Sequence, residues 1–441
     1  GDDVLEVARS IAAELSPTSG PRLEIPVPRK GMVLIADELS PSQAAALDPK
    51  RLAGIAIERG GATSHAAIIA RSFGIPAVVG VEGLLDSAAS DRPVLIDGDR
   101  GCVEVSPSRA QIRRALERAQ AERRRASRRA AHRTPFASTS DGLRVVLRAN
   151  LELLHEVEAM KRFGAEGIGL FRSEFLYLGS PGNPPDAAAQ QRVYEELLRH
   201  ARPAPVVVRT YDLGAEKSEA APEPGNAALG LRGIRYSLAR PELFREQLRA
   251  LLRASRKGDL RIMLPMVSSP AEVAQARRHL EEVAKEEGIA TLPPLGIMVE
   301  VPSAVVLSEA LARVADFFSI GTNDLTQYAL AADRTDPDVA GYFQPMSPAV
   351  LRMIKSVVDT GERTGRPVAV CGELAADAIG ATLLVGLGLR ELSMSPVLLP
   401  RVQEILGELD AVRAATLARR ALDCEEAGQV AELFHRPRRK G

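Results

Sequence analysis

Apolar and polar positions alternate in two different rhythms along the chain. From about residue 143 onward, short apolar runs recur: VVLRAN, GIGLFR, VVVRTYD, RIMLPMV, GIMVEV, FFSIGTND, PVAVCGE and ELSMSP. Between them lie longer stretches with apolar residues at helical spacing, such as HEVEAMKRF, PELFREQLRALLRAS, PAEVAQARRHLEEVAKE and PAVLRMIKSVVDTGERT. Near-continuous apolar runs of this length read as strands buried on both faces, and the longer segments as amphipathic helices. Eight alternating β/α units over about 300 residues predict a closed (β/α)8 TIM barrel spanning residues 141–441. An open doubly wound sheet is the alternative, but no glycine-rich dinucleotide loop follows the first strand.

The earlier part of the chain has a different texture. Residues 27–107 hold the β-rich runs GMVLIA, LAGIAI, PAVVG, PVLIDG and CVEV, interrupted by one helical stretch, SHAAIIARS. They predict a small mixed β/α domain. In residues 1–26, Val4, Val7, Ala8, Ile11 and Leu15 fall on one helical face before a Pro/Gly/Ser turn region. Residues 108–140 change character again. Positions 109–133 are rich in Arg, Ala, Gln and Glu without Gly or Pro, which predicts a long solvated spacer helix, and TPFASTSDG is its exit loop. The overall expectation is an α/β protein: a small domain, a linker helix and a barrel.

Composition narrows the function classes. Of 441 residues, 45% are hydrophobic, enough for sizeable cores. Lys plus Arg and Asp plus Glu each total 57, so the formal net charge is zero, which argues against a globally basic nucleic-acid binder. The Arg-rich helix could be read as an RNA-binding arm, but no aromatic residues interleave with it, so no nucleic-acid partner is expected. Three cysteines, at 102, 371 and 424, cannot form a disulfide framework and point to a reducing, cytoplasmic setting. No run approaches the ~18 apolar residues of a membrane span, so no membrane partner is expected.

Candidate chemistry collects at the C-terminal ends of the eight runs, which line one open face of such a barrel. In order these are Asn150, Arg172, Arg209 with Asp212, Met266, Glu300, Asn323 with Asp324, Cys371 with Glu373, and Ser395. A guanidinium closing an apolar strand is costly to bury without an anion. Two on adjacent strands suggest a carboxylate- or phosphate-bearing ligand. The plain alternative is two ordinary ion pairs, Arg172 with Glu174 and Arg209 with Asp212. Glu300 and Asp324 would sit side by side, where a shared Mg2+ relieves their repulsion. Neutralisation by a nearby arginine would do so as well. Zinc is disfavoured, because the six His and three Cys show no ligand spacing. Cys371 ends a strand among charged groups, a setting that Cys102 and Cys424 lack.

In GGATSHAAIIARSFGIPAVVG, His65 follows paired glycines at the apparent start of a helix. Unpaired N–H groups and the helix dipole there favour an anion, and a neutral imidazole could carry a phosphoryl group. A surface or capping histidine is the plainer reading of the same residue.

That segment resembles the phosphohistidine signature of the phosphoenolpyruvate-utilising enzymes. DFFSIGTNDLTQYALAADR resembles their second signature, in the wording of enzyme I of the bacterial phosphoenolpyruvate:sugar phosphotransferase system. GIGLFRSEFLY, VVVRTYDLGAEK, NAALGLRGIRYSL, RIMLPM, IMVEVPSA, QPMSPAV and CGELAAD continue the match in order. The resemblance implies a phosphoenolpyruvate-protein phosphotransferase in which His65 is phosphorylated and Cys371 is the proton donor. It implies substrate contacts from Arg172, Arg209, Arg232, Asn323 and Arg334, and Mg2+ held by Glu300 and Asp324; Arg232 and Arg334 rest on the resemblance alone. It further implies phosphoenolpyruvate and pyruvate as ligands, an HPr-like phosphocarrier protein as partner, and a homodimer formed through the barrel. The family's carrier-docking helical subdomain is not expected in this chain, and residues 1–26 read as its trailing end. Two other readings share some of these features: a fragment resembling pyruvate phosphate dikinase or phosphoenolpyruvate synthase, and a regulatory module that binds phosphoenolpyruvate without turnover.

Overall fold

A computed structural model of the chain describes residues 31–39, 51–59, 70, 75–87, 92–98, 100–131, 136–178, 185–214, 228–334, 336 and 338–435. Its backbone contacts divide the chain into two units, residues 1–108 and 109–441.

In the first unit, the β-branched and alanine-rich runs pair as a three-stranded parallel sheet. It is made of β1 (Met32–Ala36), β2 (Leu52–Ile57) and β3 (Ala77–Val79), in that order. β4 (Val94–Asp97) and β5 (Cys102–Val105) form an antiparallel pair. Leu39, Leu52, Ile55, Ile57 and Ala70 make a small core on the sheet. All five apolar runs of this segment are therefore strands. His65, the rest of its helical stretch apart from Ala70, and the helix anticipated in residues 1–26 lie outside the described residues.

The second unit opens with a 23-residue helix, Arg109–Ala131. The expected exit loop carries a short strand, β6 (Ala137–Ser138), which pairs antiparallel with β7 (Arg144–Leu151). The parallel strands that follow are β8 (Ile168–Arg172), β9 (Val206–Arg209), β10 (Leu260–Leu264), β11 (Leu295–Val299), β12 (Phe318–Ile320), β13 (Val368–Val370) and β14 (Glu391–Met394). Each pairs with its sequence neighbour, and β14 pairs back onto β7 from Glu391↔Val146 to Met394↔Ala149, closing an eight-stranded parallel barrel. The eight strands fall on the eight apolar runs.

Alternation along the strands separates two layers. Ile168, Phe171, Val206, Val208, Ile262, Leu264, Ile297, Val299, Phe318 and Ile320 join the large core shared with the surrounding helices. Leu170, Val207, Met263, Met298, Phe317 and Cys371 form a separate cluster, filling the barrel as side chains do in this fold. The helices are punctuated as their sequences suggest. Pro241, Pro270 and Pro348 each start one, where the missing N–H costs nothing, and the helix Pro270–Glu286 adds a Ser269/Glu272 capping box. Among the described residues, no helix is long and apolar enough to cross a membrane.

Candidate active site

The strands deliver their charged ends to one rim. Arg172 and Arg209 are the last residues of β8 and β9, and they face each other in the strand register. Glu300 and Cys371 each follow the last residue of β11 and β13. Asn323 and Asp324 lie slightly beyond the place the sequence pattern gave them. β12 ends at Ile320, and both residues sit in the first turn of the helix Thr322–Leu330, where the positive end of the dipole favours a carboxylate. Packing here leaves no room for a Cβ at Gly372: it would stand 1.9 Å from Thr322 Oγ1 and 2.6 Å from Thr322 N. That close approach lets the segment after β13 lie directly against the Asn323–Asp324 turn.

A chain of ion pairs runs round the rim. Arg172 Nη1 pairs with Glu152. Arg209, 6% exposed, pairs with Glu174 through Nη2 and with Asp212 through Nη1 at 3.1 Å. Arg232 donates to Asp212 through Nε at 3.0 Å and Nη2 at 2.9 Å. Its other edge meets Asp324, Nη1 to Oδ1 at 3.2 Å and Nη2 to Oδ2 at 3.4 Å. Arg334 Nη2 stands 3.8 Å from the same Oδ1. All four arginines that the sequence or the resemblance pointed to are thus at one mouth. The plain ion-pair reading is half met: Arg209 does pair with Asp212, whereas Arg172 takes Glu152 instead of Glu174.

Glu300 is fully buried, and its Oε1 accepts the Met266 N–H at 2.7 Å. Met266 adopts φ +56°, the left-handed region that a long side chain rarely visits, so the backbone is strained where it aims that N–H. Gly233, at φ +60°, lies so close that an added Cβ would meet Met266 Cβ at 2.7 Å. Burial first, then the carboxylates of Asp324 and Asp212, push the Glu300 carboxyl up to about 8 against the pull of Arg209 and Arg232. Burial works on Asp324 in the same direction, but the guanidiniums of Arg232 and then Arg334 overcome it and hold that carboxyl below its ordinary range. Arginine therefore neutralises Asp324, as one of the two sequence readings allowed, while Glu300 is left without such a partner.

Beside them Cys371 is 4% exposed, with its Sγ 3.7 Å from the Ile320 carbonyl, and burial pushes the thiol up to about 11. Asn323 Oδ1 accepts from the Glu373 N–H at 3.1 Å, which ties two strand ends together. Asn150 does the same elsewhere on the rim, donating to the Cys371 carbonyl at 2.8 Å.

Several buried polar atoms on this rim, among them Arg209 Nε, Glu174 Oε2, Glu300 Oε2 and Thr322 Oγ1, have no hydrogen-bond partner among the described residues. Leaving such atoms unmatched costs free energy, and their concentration at one mouth marks a place for a polar ligand. Among the described residues no group of three or more His, Cys, Asp or Glu is arranged to hold a metal. Glu300 Oε2 and the Asp324 carboxylate still present two oxygens, the number of protein carboxylates that Mg2+ commonly takes.

Sequence reasoning paired Asp212 with Arg209 alone and missed its second arginine, Arg232; it gave no role to Glu152 on Arg172 or to Glu156. The Glu156 Oε2 accepts the N–H groups of Glu152 and Leu153 at 2.6 and 2.8 Å, and burial, then the Glu152 charge, raises its carboxyl to about 7. The run NLELLHE, with two glutamates four apart just past the first strand, was the available signal.

The family described as PEP-utilising enzyme, PEP-binding domain matches residues 126–411, and the family described as PEP-utilising enzyme, mobile domain matches residues 28–101. The chain belongs to the PEP-utilising enzymes. It is 43% identical over 416 residues to a multiphosphoryl transfer protein of Rhodobacter capsulatus, covering 93% of this chain and 50% of that protein. It is 40% identical over 435 residues to a multiphosphoryl transfer protein of Xanthomonas campestris pv. campestris, covering 98% and 52%. With the phosphoenolpyruvate-protein phosphotransferase of Haloferax volcanii it shares 41% over 444 residues, covering 98% and 76%. The chain spans about half the length of the first two relatives and about three quarters of the third.

Proposed function

We propose that this chain is a phosphoenolpyruvate-dependent protein phosphotransferase that moves the phosphoryl group of phosphoenolpyruvate to His65 and releases pyruvate. The observation that carries the reading is the rim itself: Arg172, Arg209, Arg232 and Arg334 converge with Glu300, Asp324 and Cys371 at the strand ends of one barrel. In this reading residues 27–107 are the phosphohistidine domain, 108–140 the linker and 141–441 the substrate domain.

Arg172 and Arg209 bind the anionic groups of phosphoenolpyruvate as planar forks, with Arg232, Arg334 and Asn323 completing the contacts. Glu300 and Asp324 would hold Mg2+, which supplies positive charge against the phosphate oxygens when bound. His65 attacks phosphorus through Nε2: an N–P bond forms, the bridging P–O bond breaks, and its electron pair stays on the enol oxygen. Protonation of the resulting enolate at carbon yields pyruvate, and Cys371 is the donor. A thiol raised to about 11 is fully protonated at neutral pH, and the Cys371 thiolate left behind readily regains a proton. The phosphohistidine then passes its group to a histidine of an HPr-like carrier of the sugar phosphotransferase system, in a cytoplasmic setting. A homodimer through the barrel, as the resemblance implies, completes the reading.

The test is incubation with phosphoenolpyruvate labelled in its phosphorus, with Mg2+. The expected product is acid-labile, base-stable label on the chain, absent from His65→Ala, with pyruvate released in equal amount. Tight binding of phosphoenolpyruvate without label would instead mark a non-turnover module, and label that appears from ATP would favour a dikinase.

A further inference from the structure

Arg232 is the most heavily engaged cation on the rim. Each of its three guanidinium nitrogens has a carboxylate partner: Nε and Nη2 on Asp212 at 3.0 and 2.9 Å, Nη1 and Nη2 on Asp324 at 3.2 and 3.4 Å. Nη1 also reaches Tyr328 Oη at 3.4 Å. In this arrangement the side chain has nothing left to offer a phosphate. Asp324, in turn, shows both carboxylate oxygens to the guanidinium, so a divalent ion approaching it meets a competitor already in place.

The two grips are unequal. The Asp212 contacts are shorter and pair two nitrogens with two oxygens in the parallel fork that makes such bonds strong. The Asp324 contacts, at 3.2 and 3.4 Å, are both longer than the Asp212 contacts at 3.0 and 2.9 Å. Asp212 also holds Arg209 Nη1 at 3.1 Å and is 5% exposed, so it is a fixed point. When one grip opens, it is the one on Asp324.

We propose that Arg232 acts as a built-in stand-in for the metal: it occupies Asp324 while the site is empty, and a divalent ion displaces it, freeing its outer N–H groups to take a phosphate oxygen while Asp212 keeps hold of the rest. This rests on the phosphotransferase reading above and adds to it a coupling between the two ligands. The ion evicts the arginine, the arginine then serves the anion, and the anion removes the arginine's tendency to return. Each ligand therefore raises the other's affinity, and by linkage the two factors are equal. The other charged groups acting on Asp324 are Arg334 at 3.8 Å, too far for a hydrogen bond, Asp212 and Arg209, which pair with each other, and Glu300. Arg334 therefore contributes field and not occupancy.

The experiment uses Mn2+ as a paramagnetic probe, titrated into the metal-free chain and followed by the signal of the free ion. The His65→Ala background keeps phosphoenolpyruvate intact. Saturating phosphoenolpyruvate should tighten Mn2+ binding in this protein, within the range of about 5- to 150-fold that such couplings span. Arg232→Met should bind Mn2+ about tenfold more tightly than its parent without phosphoenolpyruvate, and phosphoenolpyruvate should tighten it less than it tightens the parent, leaving only the direct attraction between ion and phosphate. Arg172→Met, which removes equal charge from the same rim without touching Asp324, should leave Mn2+ affinity within about twofold. If Arg232→Met binds Mn2+ no better than its parent, or if Arg172→Met improves it as much, the stand-in role is wrong while the phosphotransferase reading survives. If the parent binds no Mn2+ even with phosphoenolpyruvate, both fall together.

Discussion

Glu300 is the group whose ionisation the metal-free rim tolerates least. It has no exposed surface, its Oε2 has no hydrogen-bond partner among the described residues, and burial together with the Asp324 and Asp212 charges pushes its carboxyl up to about 8. An ordinary glutamate loses its proton near 4.5. Between those two values the folded protein keeps a proton that the unfolded chain has released, so stability declines as pH rises from about 4.5 to about 8 and the loss is complete above that. Fully realised, a gap of that size at ~1.4 kcal/mol per pH unit is ~5 kcal/mol. Movement of the nearby arginines toward the ionised group reduces it to on the order of 2–3 kcal/mol. With ~2.1 cal/mol/K of unfolding entropy per residue over the roughly 330 residues of the barrel unit, that becomes about 3–4 °C in Tm. Glu300→Gln keeps the shape and an oxygen for the Met266 N–H while removing the charge. In EDTA at pH 8 the variant should melt about 3–4 °C above its parent, and at pH 5 the two should coincide. Adding Mg2+ at pH 8 should reverse the order, because only the parent gains from the ion. Calorimetric melts at pH 5, 6.5 and 8 decide the matter. A parent Tm that stays level across that window in EDTA, or a variant that melts lower at both ends, refutes the reasoning.

Two further outcomes follow from the same rim. Because burial pushes the Cys371 thiol up to about 11, on the order of 0.1% is thiolate at pH 8; iodoacetamide should therefore modify the exposed Cys102 and spare Cys371 in the folded protein, as read by peptide mass spectrometry. Rapid alkylation of Cys371 would contradict its burial. Gly372→Ala places a methyl 1.9 Å from Thr322 Oγ1, so the turn carrying Asn323 and Asp324 must shift. The expected cost is about 1–3 kcal/mol in denaturant unfolding, with phosphoenolpyruvate binding weakened as well, and unchanged stability would show that the contact relaxes freely.

The barrel was legible because its strands are buried on both faces and its helices on one, so the change from unbroken apolar runs to helical spacing marks each unit. The same rule located Arg172, Arg209, Glu300 and Cys371, since a strand's last residue points its chemistry at the mouth. It could not locate Arg232 or Arg334. Arg232 belongs to the connection between β9 and the next helix, 20 residues from the Asp212 it grips, and no local period carries that information. Asp324 was displaced from its expected strand end because β12 stops at Ile320 and the chain turns helical at once. The strained Met266 N–H on Glu300 was equally out of reach, because nothing in the residue type announces a left-handed backbone.

The pairing of every rim arginine with an acid looks at first like an argument for mere ion-pair structure. Energetically it does something else. An unpaired arginine at a barrel mouth would lose ~1.5–2 kcal/mol of side-chain freedom on gripping a ligand, and Arg172, Arg209 and Arg232 would each do so. Glu152, Glu174 and Asp212 take that ordering cost into the folding of the barrel for Arg172, Arg209 and Arg232, so those side chains are anchored before a ligand arrives. The same acids weaken the attraction for an anion, which is why a network built for stability alone would close on itself. This one does not: Arg209 Nε, Glu174 Oε2 and Glu300 Oε2 remain buried and unmatched, and the backbone at Met266 is strained to serve Glu300. A fold tolerates unmatched buried atoms where binding satisfies them, and here both signs of charge are left open side by side. That combination suits an anion and a divalent cation entering together better than it suits either alone.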